Sequence, residues 1–191
     1  MPTSSKKDFV KYTKGFGPYW LIAVGVLVVL YFVRLVISTD PTGVPLLTMA
    51  LISLIPIGLS IWLIWRGISY LKKYTACVQE AESSGELQAI LADFSRSHSM
   101  MRDGIRLGEK YIYSKGGGYP VSYGEIESVY QAIIRRNFVE SERRLNVVVN
   151  GGGTRTLCNL KLRGKSDKDM LEIVDYIRQQ NPNVNARLNS I

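Results

Sequence analysis

The architecture of this chain is set by two apolar stretches, YWLIAVGVLVVLYFVRLVI at residues 19–37 and LLTMALISLIPIGLSIWLIW at residues 46–65. The first contains one charged residue, Arg34, near its far end, and the second contains none. About 20 apolar helical residues cross the hydrocarbon core of a bilayer, and a long arginine side chain near a helix end can reach the headgroups. The sequence therefore predicts two transmembrane helices over these ranges, with Pro56 and Gly58 as a source of kinking in the second.

Two alternatives compete with this interpretation. A cleaved signal peptide also joins a basic start to an apolar segment, but this segment is long and no A-x-A-like cleavage site follows it. A helix of a soluble protein would show a polar face, and neither stretch has one. Membrane spans are therefore the preferred prediction.

The distribution of lysine and arginine predicts the orientation of the two spans. Four lysines precede the first span, Arg66, Lys72 and Lys73 follow the second, and the connection at 38–45 has no basic residue. Because cytoplasmic segments carry the excess of basic residues, the chain is predicted to form a cell-membrane hairpin with both termini cytoplasmic. The aromatic residues at these same span ends fit one inner interface: Tyr19, Trp20, Trp62, Trp65 and Tyr70.

The net charge of +8 over 191 residues has its surplus in residues 1–18 and 102–191. Beside membrane spans, this surplus favours an anionic leaflet as partner, and no nucleic acid is expected. The two cysteines, Cys77 and Cys158, lie far apart and lack metal-site spacing. The sequence therefore predicts packing cysteines without a disulfide, and no cofactor.

A helical stalk and linker is predicted for residues 71–101. Ser83-Ser84-Gly85 interrupts it, and Ser84 is a candidate cap for a short helix at 86–94. The apolar face of that short helix comprises Leu87, Ile90, Leu91 and Phe94.

From residue 105 onward the apolar period changes from that of a helix to that of a strand. The predicted strands are 105–107, 110–114, 119–123, 128–136, 145–150 and 154–162. A helix follows, starting at an S-x-x-D box of Ser166 and Asp169 and ending before Asn181-Pro182. Its apolar face comprises Met170, Ile173, Val174 and Ile177. The tail at 182–191 is predicted to be polar and frayed.

These elements predict a membrane α-helical hairpin joined to an α+β domain, which is a curved antiparallel sheet or small barrel capped by a C-terminal helix. The chain then divides into a basic cytoplasmic tail, the hairpin, the stalk, the β domain with its helix, and the polar tail. Their predicted ranges are 1–18, 19–70, 71–101, 102–181 and 182–191.

Two short segments carry a resemblance to a known family. Residues 107–113, LGEKYIY, are similar to the strand that enters a pleckstrin-homology-like (PH-like) domain, and residues 119–129, YPVSYGEIESV, are similar to a strand of such domains with spaced apolar and aromatic residues. With its two N-terminal spans, the chain resembles bacterial membrane-anchored proteins with a PH-like domain, and the resemblance covers about residues 100–180. It implies a binding module and carries over no catalytic residue.

A search for catalytic chemistry gives weak candidates. His98, the one histidine, is predicted to lie in a polar linker, and Asp93 and Asp103 near it are too sparse for a metal site. Gly164-Lys165-Ser166 lacks the upstream glycine of a phosphate-binding P-loop, since Asn159 stands at that position. The glycine triplets at 116–118 and 151–153 are predicted to be hairpin turns. The chain is therefore expected not to be an enzyme.

One basic cluster keeps a functional interpretation. The pairs Arg135-Arg136 and Arg143-Arg144 flank a predicted loop, so pairing of the strands would gather four guanidinium groups at one end. Arginine forks suit phosphate, and each basic side chain near an anionic leaflet contributes about 1 kcal/mol. Glu140 and Glu142 lie between the pairs and would partly neutralise the patch. A solvated loop, a lipid-headgroup site and a contact with another membrane protein all remain open.

Three functions follow from these observations. The first is a membrane-anchored, non-enzymatic binding or scaffold module, whose tether raises its effective concentration near other membrane proteins. The second is a sensor of anionic lipid headgroups through the four arginines. The third is an accessory subunit of a membrane enzyme or transporter.

Overall fold

The structure is a computed structural model that describes residues 6–38, 46–136, 139–151, 153–160 and 166–187. The chain forms two compact units. One consists of Met1–Gly15 together with Val78–Ile191, and the other is Phe16–Cys77. The second unit is therefore an insertion between two segments that fold together.

The described residues form five α-helices and eight strands. The helices are α1 (Lys6–Lys14), α2 (Gly17–Ser38), α3 (Leu46–Ser83), α4 (Glu86–Arg96) and α5 (Ser166–Gln180). The strands are β1 (His98–Met100), β2 (Ile105–Leu107), β3 (Tyr111–Ser114), β4 (Val121–Ser122), β5 (Ile126–Arg136), β6 (Val139–Val149), β7 (Gly153–Leu160) and β8 (Asn185–Arg187). A 3-10 turn at Tyr123–Glu125 joins β4 to β5.

Helices α2 and α3 pack against each other in opposite directions. A Cβ atom added to Gly25 would lie 2.7 Å from Cγ1 of Ile64 and 2.9 Å from the carbonyl oxygen of Ser60. A Cβ atom added to Gly67 would lie 2.7 Å from Cγ1 of Ile22. The contacts move towards the C-terminus of α3 as they move towards the N-terminus of α2, so the pair is antiparallel. The two helices approach each other closely at these glycines, which have no side chains.

The surfaces of α2 and α3 are apolar and mostly uncovered. Each helix is long and apolar enough to cross a membrane, and only 11% of the most apolar window of each is buried. Ile37 is 79% exposed and Ile55 is 80% exposed. The core helix of a soluble protein would bury such side chains. The length, composition and exposure of both helices therefore favour membrane spans over buried core helices.

Helix α3 continues without a break into the first part of the range predicted as stalk and linker. α3 has 38 residues, which corresponds to about 57 Å at 1.5 Å per residue, roughly twice the hydrocarbon thickness. It ends at Ser83, and Gly85 adopts a positive φ of 77° that breaks the helical path. Helix α4 then starts at the predicted Glu86, with the Ser84 hydroxyl 3.4 Å from its backbone N–H.

The N-terminal helix α1 is a part of the fold that the prediction of a basic tail did not include. Phe9 is fully buried, and its ring meets the rings of Phe94 and Tyr113 edge-on, with centroids 5.6 Å and 6.2 Å away. Such edge-to-face pairs add to the gain from apolar burial. α1 is therefore held to α4 and β3 by an aromatic cluster.

The strands form two four-stranded sheets, ordered β1-β2-β3-β4 and β7-β6-β5-β8. All neighbours are antiparallel except β8, which runs parallel to β5. Each of the six predicted strands overlaps an observed strand, and two were missed. The linker prediction for His98 is wrong, because His98 pairs with Leu107 in β1. The frayed-tail prediction is also wrong, because Asn185 pairs with Ser128 in β8.

Helix α5 and the sheets share one hydrophobic core. The four residues predicted for the inner face of α5 are all fully buried, and they belong to the same cluster as Val129, Leu145 and Val147. The helix ends at Gln180, directly before the predicted stop. The unit formed by residues 1–15 and 78–191 is therefore α+β, with helices packed on antiparallel and mixed sheets, and we call it the α+β unit.

Candidate functional site

The hairpin of β5 and β6 brings the two arginine pairs to neighbouring strands, as predicted. Arg135 stands opposite Glu140 and Arg136 opposite Val139, whereas Arg143 stands opposite Ile133. Residues 137 and 138, at the connection, lie outside the described residues. The structure thus gives the strand pairing of all four arginines. It describes the side chains of Arg135, Arg143 and Arg144 but not that of Arg136.

The three arginine side chains that the structure describes, those of Arg135, Arg143 and Arg144, do not converge on one surface. Arg143 and Arg144 are consecutive on a strand, so their side chains leave opposite faces of the sheet. Arg143 Nη1 donates to Asp167 Oδ1 of α5 at 3.2 Å. Arg144 donates to both carboxylate oxygens of Glu142, at 3.1 Å and 2.9 Å, and this hydrogen bond raises the pKa of Arg144. Arg135 is exposed.

A second basic group, not singled out in the sequence, lies where α1, α4, the β1–β2 turn, β2 and the β3–β4 turn meet. These elements enclose a surface pocket of about 380 Å³, which we call the Arg106 pocket. The residues that line it are Asp8, Lys11, Tyr12, Phe94, Asp103, Arg106 and Lys115. All of them belong to the α+β unit.

Backbone hydrogen bonds hold the walls of the Arg106 pocket together. The N–H of Gly116 donates to the carbonyl oxygen of Tyr12 at 2.8 Å, which fastens the β3–β4 turn to α1. The N–H of Lys115 donates to the carbonyl oxygen of Gly104 at 2.9 Å, which fastens the same turn to the β1–β2 turn. A Cβ atom at Gly15 would lie 2.5 Å from Cα of Gly116, so this junction requires glycine.

Arg106 is fixed within the pocket by aromatic and acidic neighbours. Its guanidinium carbon lies 5.4 Å from the ring centroid of Tyr12 and 5.0 Å from that of Phe94. Its Nε donates to Asp103 Oδ1 at 2.8 Å, and the Ser99 hydroxyl donates to the same oxygen at 3.0 Å. Burial alone would raise the pKa of Asp103, but these two hydrogen bonds and the charge of Arg106 lower it below its ordinary value.

The backbone that presents Asp103 is strained. Met101, Arg102 and Asp103 have φ angles of 52°, 57° and 63°. A left-handed conformation costs a residue other than glycine about 1–2 kcal/mol. Three such residues in succession place the Asp103 carboxylate beside Arg106, and the surrounding contacts must offset the strain.

Tyr12 supplies the buried wall of the pocket. It is 8% exposed, and its hydroxyl has no hydrogen-bond partner among the described residues. Burial, and then the negative charge of Asp103, raise the pKa of Tyr12 well above its ordinary value, with Arg106 acting in the opposite sense. The phenol therefore stays protonated and remains a donor.

A neighbouring carboxylate, Asp93 on α4, has a structural role. Its Oδ1 accepts the N–H groups of Glu109 and Lys110 at 2.8 Å and 3.2 Å, and its Oδ2 accepts the hydroxyl of Tyr113 at 2.8 Å. Burial and this last bond raise the pKa of Tyr113. A side chain at Gly108 would collide with Asp93, so the β2–β3 turn closes on the carboxylate only because of that glycine.

The other sequence candidates fall into structural positions. Among the described residues, no group of three or more metal-binding side chains occurs. The glycine triplets join β3 to β4 and β6 to β7, both antiparallel pairs, which confirms the hairpin prediction as far as these triplets are described. Gly164 and Lys165 of the P-loop-like segment lie outside the described residues.

Sequence reasoning missed the Arg106 pocket because its residues come from four separate segments. One sequence feature did indicate that α1 packs against the fold. Phe9 and Tyr12 lie three residues apart in an otherwise basic stretch, and this spacing places them on one face of a helix. That face predicts docking of α1, but it does not predict the partner.

Comparison of the chain with protein-family models, with curated proteins and with solved structures finds no match.

Proposed function

We propose that this protein is a membrane-anchored, non-enzymatic binding module. In this proposal α2 and α3 cross the cell membrane as a hairpin, and the unit formed by residues 1–15 and 78–191 is a PH-like domain at the cytoplasmic face. Its ligand or partner is anionic lipid or another membrane protein.

The observation that carries the proposal is the insertion of one unit into the other. Segments on both sides of the α2–α3 pair fold into one compact unit. A unit with its own core cannot be divided by a bilayer, so both ends of the pair must emerge on the same side. An antiparallel pair of apolar helices meets that requirement, because each helix crosses once.

The sidedness of the proposal rests on charge. Lysines occur before α2, and Arg66, Lys72 and Lys73 occur in the later part of α3, whereas residues 39–45 contain no basic residue. The positive-inside rule assigns the basic side to the cytoplasm.

The PH-like part of the proposal is supported by the order and packing of elements. A succession of antiparallel strands precedes α5, whose apolar face enters the core between them. The proposal that the module is not an enzyme is supported by the partners of two acidic residues in the α+β unit. Asp93 accepts hydrogen bonds from backbone N–H groups, and Asp103 accepts one from Arg106. Both carboxylates already accept hydrogen bonds from these partners, so neither is poised to take a proton from a substrate as a general base must.

Cysteine accessibility tests the proposed topology. In a chain with Cys77→Ser and Cys158→Ser, one added cysteine, either Thr42→Cys or Ser190→Cys, is probed with a membrane-impermeant maleimide on spheroplasts. We expect labelling of Thr42→Cys on intact spheroplasts and labelling of Ser190→Cys only after lysis. The two variants are controls for each other, since each reports one side of the membrane.

Labelling of both cysteines on intact spheroplasts, or of neither before lysis, would contradict the hairpin. Labelling of Ser190→Cys alone would keep the hairpin and reverse its orientation.

A further inference from the structure

We propose that the Arg106 pocket binds a phosphate-bearing anion, either the headgroup of an anionic lipid or a soluble phosphate ester. This inference gives the proposed binding module a ligand class, and it rests on that function only for the choice between the two sources. The pocket is distinct from the arginines of the β5–β6 hairpin.

The first argument is the state of the Arg106 guanidinium. Stacking on Tyr12 and Phe94 and the bond from Nε to Asp103 fix its orientation. Its two terminal nitrogens have no hydrogen-bond partner among the described residues, and the side chain is 29% exposed. A guanidinium held in place loses little conformational freedom when it binds a ligand, and its fork matches two oxygens of a phosphate.

The second argument is the pair of lysines on the same pocket. Lys11 comes from α1 and Lys115 from the β3–β4 turn, and both are exposed. Neither forms an ion pair with a described carboxylate. Basic residues outnumber the carboxylates of the lining three to two, and one of those carboxylates, Asp103, is already bound to Arg106. The pocket thus retains positive charge on two exposed side chains from separate elements.

The third argument is the buried hydroxyl of Tyr12. Buried donors in native proteins almost always have an acceptor, and this one has none among the described residues. An oxygen of a bound anion would supply the missing acceptor beside Arg106.

The size and place of the pocket limit the class of ligand that it can bind. A volume of about 380 Å³ is at the small end of ligand-binding pockets, which fits a compact headgroup or phosphate ester and not a polymer. Only Gly15 and Phe16 separate α1, which carries Lys11, from α2. In the proposed topology Lys11 therefore precedes the first span by only six residues, which favours a lipid headgroup as the ligand.

The test is calorimetric titration of the full chain in detergent. The probes are dihexanoylphosphatidylglycerol, the zwitterionic dihexanoylphosphatidylcholine, and glycerol 3-phosphate as a soluble phosphate ester. We expect saturable binding of the phosphatidylglycerol, little binding of the phosphatidylcholine, and about a tenfold or larger loss of affinity with the double variant Lys11→Gln/Lys115→Gln. Because both lysines are exposed, the variant should unfold at the same temperature as the parent chain.

Two matched controls complete the experiment. Lys7→Gln/Lys168→Gln removes the same charge from exposed lysines outside the pocket, and it should leave the affinity unchanged. Arg135→Gln/Arg136→Gln tests the hairpin arginines. Binding of glycerol 3-phosphate as well would support the pocket and assign it to phosphate esters in general.

The inference is overturned if neither anionic probe binds saturably, if phosphatidylcholine binds equally well, or if the pocket variant behaves like the Lys7→Gln/Lys168→Gln control. Loss of binding only in the Arg135→Gln/Arg136→Gln variant would also overturn it and assign the ligand to the hairpin. None of these results affects the labelling of Thr42→Cys, so failure of the pocket and failure of the membrane topology are distinguishable.

Discussion

At the residue scale, substitution of Phe9 is expected to weaken the docking of the N-terminal helix α1 more than any other change. It is fully buried among aromatic rings of α4 and β3, although the surrounding sequence is basic and polar. Phe16, seven residues later, is 72% exposed. The two phenylalanines are chemically identical and differ in burial, so they form a matched pair.

We expect Phe9→Ala to lower the free energy of unfolding of the α+β unit by about 3–5 kcal/mol, because it removes a buried ring and leaves a cavity. Hydrogen exchange of the amides of α4 in the detergent-solubilised chain measures this loss. Phe16→Ala should leave that exchange unchanged. Equal exchange in the two variants would mean that α1 does not dock.

The carboxylate of Asp93 gives a second prediction at this scale. Asp93→Ala leaves two N–H groups of the β2–β3 turn and the hydroxyl of Tyr113 without their acceptor. The buried Tyr113 hydroxyl costs about 1–3 kcal/mol when it is left without an acceptor. The part-buried N–H groups add less, so the thermal unfolding temperature should fall clearly. Asp175→Ala, at an exposed position of α5, should change it little. An unchanged unfolding temperature for Asp93→Ala would remove the structural role given to this residue.

Cys158 gives a third prediction. Burial raises its pKa to about 12, although a backbone hydrogen bond at Leu145 acts in the opposite sense. Only a minute fraction of the thiol is therefore ionised near neutral pH, and the thiolate is the reactive form. Mass spectrometry after iodoacetamide treatment at about pH 8 should find Cys158 unmodified in the folded chain and modified after denaturation. Rapid alkylation of the folded chain would contradict the raised pKa of this partly buried thiol.

At the element scale, substitution of the glycines in α2 and α3 can distinguish an effect on helix–helix packing from an effect on helix propensity. Gly25 lies against α3 with no room for a side chain, whereas Gly58 has nothing within 4 Å of an added Cβ. Alanine is the better helix former at both positions by about 1 kcal/mol. Any loss on substitution at Gly25 therefore comes from the contact between the helices.

We expect Gly25→Ala to lower the thermal stability of the α2–α3 pair in detergent, and Gly58→Ala to leave it unchanged or raise it slightly. Circular dichroism of the helical signal on heating measures both variants. A stabilising effect at both positions would mean that α2 and α3 do not pack at Gly25.

Elements with a strong period could be predicted from the sequence, and elements that depend on distant partners could not. The face of α5 follows from the spacing of Met170, Ile173, Val174 and Ile177, which a helix aligns whatever surrounds it. Strands β1 and β8 have three residues each, and β8 exists because β5 offers it a free edge. Such pairing depends on tertiary contacts and leaves no periodic signal in three residues.

The same reasoning explains the outcome for the candidate sites. The arginines of the β5–β6 hairpin were found because they are adjacent pairs in the sequence, but strand alternation sends Arg143 and Arg144 to opposite faces. The Arg106 pocket combines α1, the β1–β2 turn, β2 and the β3–β4 turn. No local pattern reveals that Lys11 and Lys115 share a pocket, because their proximity arises from the docking of Phe9.

At the scale of the whole molecule, the central claim is that α2 and α3 reside in a bilayer. The claim rests on two long helices with uncovered apolar surfaces, inserted between segments that fold together. Exposed apolar area of this extent is unfavourable in water by about 25 cal/mol per Å². The chain should therefore depend on lipid or detergent for solubility.

The most direct measurement is membrane flotation after extraction with alkaline carbonate, followed by immunodetection of the full chain. A chain anchored by α2 and α3 remains with the floating lipid after the carbonate wash and enters solution only with detergent. Recovery of the chain as a monodisperse species in the carbonate supernatant, without detergent, would contradict the account.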